Sequence, residues 1–219
     1  MRQAPHFVLH NAVATDAAPA PEPAAPPYRI GIVSNLARQK RHEDFLAMAA
    51  RLTAQGYPCE FHIIGGDSHP AGRMAMLRQL AAELGLAERV HFTGFSDQVR
   101  QALSALHVFV LTSDQESGPL VVTEAMAARR PVVSTVVGAT PEMIVDGQSG
   151  FLVTPGDITA LTQRVAALLD APALRERIAE AGRQRAVELF SPTSQTRQLT
   201  RIYADTLARS ARARRQPPA

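Results

Sequence analysis

From residue 28 onward the chain alternates short apolar runs with stretches in which apolar residues recur every three to four positions. The runs at 30–33, 61–64, 90–92, 108–111, 132–133 and 151–153 are short, apolar and rich in β-branched residues, as buried strands are. Between them lie helical faces such as Phe45/Met48/Ala49/Leu52, Leu77/Leu80/Ala81/Leu84 and Leu161/Val165/Leu168/Leu169. Fully apolar strands that alternate with amphipathic helices predict an α/β domain: a Rossmann-like parallel sheet with helices on both faces. The C-terminal end reads as helix throughout. Pro172 and Pro192 mark helix starts, with Asp170 and Ser191 as expected capping residues, and Leu199, Ile202, Tyr203 and Leu207 share one face of the last helix.

The two ends of the chain break this pattern. Residues 13–27 hold five prolines and many alanines without apolar periodicity, so they read as a linker. Phe7-Val8-Leu9 before it predicts a short strand. Arg209, Arg212, Arg214 and Arg215 crowd the other end, which reads as a solvated, disordered tail. The expected division is therefore 1–27 as connector and linker, 28–208 as the folded domain, and 209–219 as a basic tail.

Composition narrows the function classes. A length of 219 residues suits one sizeable domain, and a net charge of +3 is too small to argue for nucleic acid. The terminal arginines alone raise contact with an anionic membrane surface, and nothing else supports it. No apolar run approaches the roughly 18 residues of a membrane span, and the N-terminus lacks the layout of a signal peptide. The single cysteine, Cys59, reads as a small strand-start filler, and a cytoplasmic location follows. Of the 23 basic residues one alone, Lys40, is a lysine.

Open sheets of this class bind ligands at the carboxyl ends of their strands. The most informative loop there is 112–119, Thr-Ser-Asp-Gln-Glu-Ser-Gly-Pro, which leads into LVVTEAMAARR. Gly118-Pro119 predicts a helix start with proline at its first position, so the N–H groups of Gly118, Leu120 and Val121 form an anion site suited to phosphate. Glu116 on the loop and Glu124 in the second helical turn are placed to border one crevice, where carboxylates accept hydrogen bonds from vicinal hydroxyls. On spacing alone Glu124 reads equally well as a surface helix residue. Lys40, in the loop after the first strand, falls near the next helix start, where a cation opposes the helix dipole unless it faces an anion. No G-x-G-x-x-G follows the first strand, which argues against a dinucleotide-binding oxidoreductase.

Taken in order, IGIVSNL-x3-KRHEDFL, FHIIGGD, VHFTGF and HVFVLTSDQESGPLVVTEAMAARRPVVSTVVGATPEMIVDGQSGFLV resemble the C-terminal domain of family 4 retaining glycosyltransferases, over about residues 28–207. The resemblance implies a single C-terminal half of a GT-B fold. It implies that Glu116 and Glu124 are the E-x7-E pair of that family, Glu124 holding the ribose of a nucleotide-sugar donor and Glu116 the transferred sugar. Lys40 would face the diphosphate, and Ser117, Gly118, Pro119, Leu120 and Val121 would line the sugar and phosphate site. The loop Thr93-Gly94-Phe95 would receive the base. The family implies hexosyl transfer with retention and no metal or other cofactor.

The chain also departs from the family pattern. Asn35 stands where an arginine is common, with Arg38 as a candidate substitute. His107 occupies a common aspartate position, and Arg129-Arg130 replaces a helix-ending glycine. Asp114-x-Glu116 imitates the acidic metal pair of another transferase fold, but no further acidic partner follows in order. The histidines at 6, 10, 42, 62, 69, 91 and 107 form no metal motif and read as surface or strand-edge residues. Phe7-Val8-Leu9-His10-Asn11-Ala12 resembles the connector leaving a first domain, so an acceptor-binding domain or subunit is the expected partner. A non-catalytic nucleotide-sugar-binding module, or one subunit of a split enzyme, is the alternative.

Overall fold

The computed structural model describes residues 7–67 and 72–215. Six parallel strands form one sheet: β1 (Tyr28–Val33), β2 (Cys59–Ile64), β3 (Val90–Gly94), β4 (Val108–Leu111), β5 (Val132–Thr135) and β6 (Phe151–Val153), in the order β3-β2-β1-β4-β5-β6. Each of the six apolar runs after residue 28 that were expected to be strands is one. Their helical connections are α1 (His42–Ala54), α2 (Arg73–Glu83), α3 (Val99–Ser104), α4 (Leu120–Ala127), α5 (Thr140–Met143) and α6 (Ile158–Asp170). Two further helices, α7 (Pro172–Phe190) and α8 (Pro192–Arg215), complete the chain. The run Phe7-Val8-Leu9, expected to be a strand, is irregular, because nothing in the sheet pairs with it.

Two apolar clusters, one on each face of the sheet, make the core. On one face Phe45, Met48 and Leu52 of α1 pack with Ile30, Phe61 and Ile63 from the strands, all fully buried. Each such side chain contributes about 1.5–3 kcal/mol relative to exposure. On the other face Phe109 and Leu111 pack against Val122 and Met126 of α4 and Phe190 of α7. Cys59 is buried in the first cluster, and burial pushes its thiol up to about 12, which suits an inert filler.

Three helix boundaries differ from the sequence reading. Asp170 does not cap α7; it remains the last residue of α6, where its carboxylate accepts from the Tyr57 hydroxyl at 2.8 Å. Pro119 is the cap of α4 and not its first residue, because its ψ of 101° is extended. The helix α8 continues to Arg215, so residues 209–215 extend it instead of forming a disordered tail. Alanine and arginine are strong helix formers, and no glycine or proline interrupts them there. Residues 216–219 and His6 and His69 lie outside the described residues. Ser191 does cap α8, accepting from Ser194 N–H at 3.2 Å.

Within the Ala/Pro-rich segment the described residues have no helix or strand, yet they are strapped along the domain. Val13 is buried and its N–H donates to the Phe190 carbonyl at 2.8 Å. The guanidinium of Arg183 reaches the Ala17 carbonyl at 3.2 Å, and that of Arg130 reaches the Ala20 and Pro21 carbonyls at 2.7 and 3.0 Å. Arg130, read from sequence only as part of a glycine substitution, is thus a buried staple. Arg129 takes the left-handed conformation (φ 59°) that a helix-ending glycine would occupy, and its guanidinium pairs with Glu176 and Glu180 on α7.

His107 closes the far end of the strap. The Arg29 N–H donates to its Nδ1 at 2.9 Å, which leaves Nε2 as the donor to the Pro23 carbonyl at 3.0 Å. His107→Ala removes both bonds and leaves two partly buried backbone groups, Arg29 N–H and the Pro23 carbonyl, without these partners. We expect a stability loss of about 1–3 kcal/mol by urea denaturation, with faster hydrogen exchange at Val13. Unchanged stability and exchange would show that the strap does not depend on this residue.

Candidate functional site

The strand order reverses between β1 and β4, so the loops that follow these two strands diverge and open a crevice at their carboxyl ends. The loop after β1 is held first by β2: Ser34 N–H donates to the Ile64 carbonyl at 3.0 Å and Leu36 N–H to the Gly66 carbonyl at 3.1 Å. It then tightens into a 3-10 turn, Arg38–Lys40. The loop after β4 is clamped to that turn. Thr112 Oγ1 donates to the Lys40 carbonyl at 2.7 Å, and Asp114 N–H to the Gln39 carbonyl at 2.9 Å.

This clamp brings Lys40 and Glu116, 76 positions apart in sequence, into contact. Lys40 Nζ donates to Glu116 Oε1 at 2.5 Å, and Ser113 Oγ donates to the same oxygen at 2.9 Å. Both side chains are largely buried, at 18 % and 12 % exposure. Because both bonds fall on Oε1, Oε2 remains able to accept from another group, and the ammonium keeps two further donors. The Glu116 backbone is fixed from behind by Gly138. A Cβ there would lie 2.3 Å from the Glu116 carbonyl oxygen, so only glycine allows the approach. Ala139 N–H donates to the Ser117 carbonyl at 2.9 Å in the same contact.

Immediately beyond this loop α4 begins at Leu120. Its first N–H groups, including those of Leu120 and Val121, have no partner within the helix, no side chain caps them, and they lie at the positive end of the helix dipole. Leu120 is 40 % exposed, which leaves this helix end open to solvent.

On the β2 side of the crevice lies a cavity of about 330 Å³, lined by Asn35, Gly65, Gly66, Phe95 and Val99 among others. Gly65 is required there: a Cβ would lie 1.8 Å from the Ser34 carbonyl oxygen. Its N–H donates to the Gly94 carbonyl at 2.9 Å, tying the loops after β2 and β3 together. Phe95 is 86 % exposed, a large aromatic ring that no core element covers. Arg38 borders a different depression from Asn35, with Arg41, Glu43, Arg73 and Asp114.

Glu124 stands apart from the Lys40–Glu116 pair. It lines a cavity of about 80 Å³ with Arg100, Ser104 and the strap residues Ala14 and Ala17. Its carboxylate has no hydrogen bond among the described residues, and burial raises its pKa. The structure thus groups the expected site residues as Lys40 with Glu116, Asn35 with Phe95, and Ser117, Gly118, Pro119, Leu120 and Val121 along the start of α4. Asp114 faces Arg41 Nη1 at 3.6 Å. Ser113, Gly65 and Gly138, which shape the site, were not singled out by spacing; the paired glycines at a strand end in IIGGD carry the signal.

His42 departs from the surface or strand-edge reading, whereas His107 adjoins the amino end of β4 as a strand-edge residue does. His107 is the strap staple described above. His42 is fully buried beneath the crevice, where its Nε2 lies 3.1 Å from Ser34 Oγ and its Nδ1 has no partner.

The six-stranded parallel sheet with helices on both faces is a Rossmann-like α/β fold, and its structural neighbours are GT-B glycosyltransferases. The family model for glycosyl transferases group 1 matches residues 16–185, and the chain belongs to that family. It is 40 % identical over 136 residues to the MMP alpha-(1->4)-mannosyltransferase of Mycolicibacterium hassiacum, covering 61 % of this chain and 33 % of that protein. It is 34 % identical over 176 residues to the alpha-D-kanosaminyltransferase of Streptomyces kanamyceticus, covering 79 % and 44 %. The chain therefore spans less than half the length of these relatives. Among solved structures, Anabaena HepE in complex with UDP shares the fold, with a TM-score of 0.76 at 24 % identity over 81 % of this chain and 49 % of that one. No helix among the described residues is long and apolar enough to cross a membrane.

The burial of His42 has a pH signature. Burial first, and then Arg73, lowers its pKa from the ordinary 6.5 to about 4. Between these values the unfolded chain binds a proton that the folded chain does not, so stability present above pH 6.5 is lost as pH falls toward 4. We expect a loss on the order of 3 kcal/mol from this residue, with a flatter profile in His42→Gln. Denaturation midpoints at several pH values check this; equal slopes for both proteins would contradict it.

Proposed function

We propose that this chain is the donor-binding part of a retaining hexosyltransferase that acts with an acceptor-binding domain or subunit. The observation that carries the reading is the Lys40–Glu116 pair, held at the switch point directly before the open start of α4. A diphosphate is the ligand that this arrangement suits: Lys40 supplies the point charge, and the N–H groups of Gly118, Leu120 and Val121 supply oriented donors. Glu116, with Oε2 free, accepts from hydroxyls of the transferred sugar. Asn35 and Phe95 border the cavity that takes the base, with the Phe95 ring as a stacking face, and Gly94, whose carbonyl accepts from Gly65 N–H, carries the loop that presents that ring. Glu124 takes the ribose hydroxyls, and its unpaired carboxylate is available for them. HepE, which shares the fold, holds UDP in its crystal structure and supports the choice of ligand class.

In this reading the bond from the anomeric carbon to the diphosphate oxygen breaks as Lys40 and the α4 N–H groups stabilise the charge that develops on the leaving group. An acceptor hydroxyl oxygen attacks on the same face, and its proton passes to the departing phosphate oxygen, so configuration is retained. The protein supplies positioning and charge, with no covalent nucleophile and no metal. We place the reaction in the cytoplasm; peripheral contact of the arginine-rich end with the inner membrane face forms no part of the mechanism.

Calorimetry with UDP and GDP tests the assignment. Lys40→Ala should weaken nucleoside diphosphate binding by about 1.5–3 kcal/mol, the range for hydrogen bonds to charged groups. Glu124→Gln should weaken UDP or GDP but not free diphosphate, whereas Glu116→Ala should leave the nucleotide nearly untouched. Equal losses for all three variants would contradict this division of roles.

Activity gives a second test. Without a positioned acceptor, up to about 7–11 kcal/mol of barrier lowering is missing. The chain alone should therefore bind donor and transfer poorly. Efficient transfer to a defined acceptor by the chain alone would contradict the need for a second domain.

A further inference from the structure

One polar corner of the sheet takes no part in donor binding. Side chains alternate along β2, so Cys59, Phe61 and Ile63 enter the core under α1 while Glu60 and His62 turn to the opposite face. His91 on the edge strand β3 is the direct register partner of His62. The two imidazole rings lie 5.0 Å apart, tilted by 30°, and His62 Nε2 is 3.8 Å from Glu60 Oε2. One ligating atom from each of the three residues falls within 4.8 Å of the others, the only such trio of histidine, cysteine and acidic residues among the described residues.

The nitrogen at the centre of this group is anomalous. His62 Nε2 is buried and has no hydrogen-bond partner, although buried polar nitrogens are nearly always satisfied. Its nearest polar neighbours are a carboxylate and a second imidazole. Two imidazoles and one carboxylate are a donor set that zinc takes up, with a fourth position left for water. Tetrahedral bonds of about 2.0–2.2 Å place ligand atoms about 3.3 Å apart, so closing the trio needs movements of about 1.5 Å or less. His91 is exposed and the Glu60 side chain is 39 % exposed, so both can rotate inward without moving the strands. Arg29, the register partner of Glu60 on β1, is the nearby charge that opposes a cation, and Glu60 offsets it.

We propose that Glu60, His62 and His91 bind one zinc-class divalent cation, which staples the edge strand β3 to β2. The staple lies just before the point where the β2–β3 register shifts, between Ile63 and Ile64. Beyond that shift the two strands run into the Gly65-Gly66 and Gly94-Phe95 loops, so a bound ion fixes the spacing of those loops.

The test uses the full chain, free of any histidine tag, titrated with zinc chloride by calorimetry and with cobalt(II) by visible absorption. We expect one ion per chain, a rise in melting temperature on adding zinc, and cobalt bands of the intensity that four-coordinate sites give. His91→Ala and Glu60→Gln, both at accessible positions, should each weaken zinc by about tenfold or more. His10→Ala, remote from the trio, should leave binding unchanged. Zinc affinity weaker than about 100 μM, or affinity that both variants leave within about tenfold of the parent, overturns the proposal.

Discussion

The site depends on one constraint: two hydrogen bonds that lock the loop after β1 to the loop after β4 across the switch point. Thr112 Oγ1 and Asp114 N–H both donate to carbonyls of the Arg38–Lys40 turn, so the backbone that carries Lys40 is referenced to the backbone that carries Glu116. Parallel strands cannot be joined by tight turns, and each of these loops is therefore free to wander unless something outside it holds it. Gly65 on one side and Gly138 on the other complete the fixation, each by letting a neighbouring backbone come closer than any side chain would permit. The ion pair follows from that scaffold. At 18 % and 12 % exposure its members are partly desolvated, and such a pair is weak evidence for stability but good evidence of position.

The same domain is tightened from outside by a segment with almost no side-chain chemistry. The strap lends its backbone carbonyls to Arg130, Arg183 and His107, and its alanines pass beside Glu124. The Glu124 carboxylate is thus bounded by α3, by α4 and by the strap at once. At the other end α8 leaves Leu199, Tyr203 and Leu207 exposed, at 37 %, 62 % and 70 %, an apolar stripe that α7 does not cover.

What the sequence disclosed and what it hid follow from the range of the interactions. The six strands and the buried faces of α1 and α6 were legible because burial on two faces or one imposes a short period. That Lys40 and Glu116 sit on loops at the carboxyl ends of the strands was legible through their motifs, and the helix start near Leu120 through the loop-to-helix transition. Contacts made by backbone atoms left no such trace. The strap reads as a loose linker because its bound groups are carbonyls, which every residue has. Pro119 was misplaced by one position because its fixed φ is compatible with both the cap and the first helical turn, and ψ decides between them. His42 and the Glu60–His62–His91 trio were missed because strand registry, which spacing does not reveal, brings these side chains together or buries them.

Hydrogen exchange on the chain, with and without a nucleoside diphosphate, bears most directly on the claim that the two clamped loops and the start of α4 form the ligand site. The account predicts slowed exchange at Gly118, Leu120 and Val121 and in residues 34–40 when UDP or GDP is added, with little change at the β6 end of the sheet. No slowing at these positions despite measured binding, or slowing confined to the strap, would contradict it.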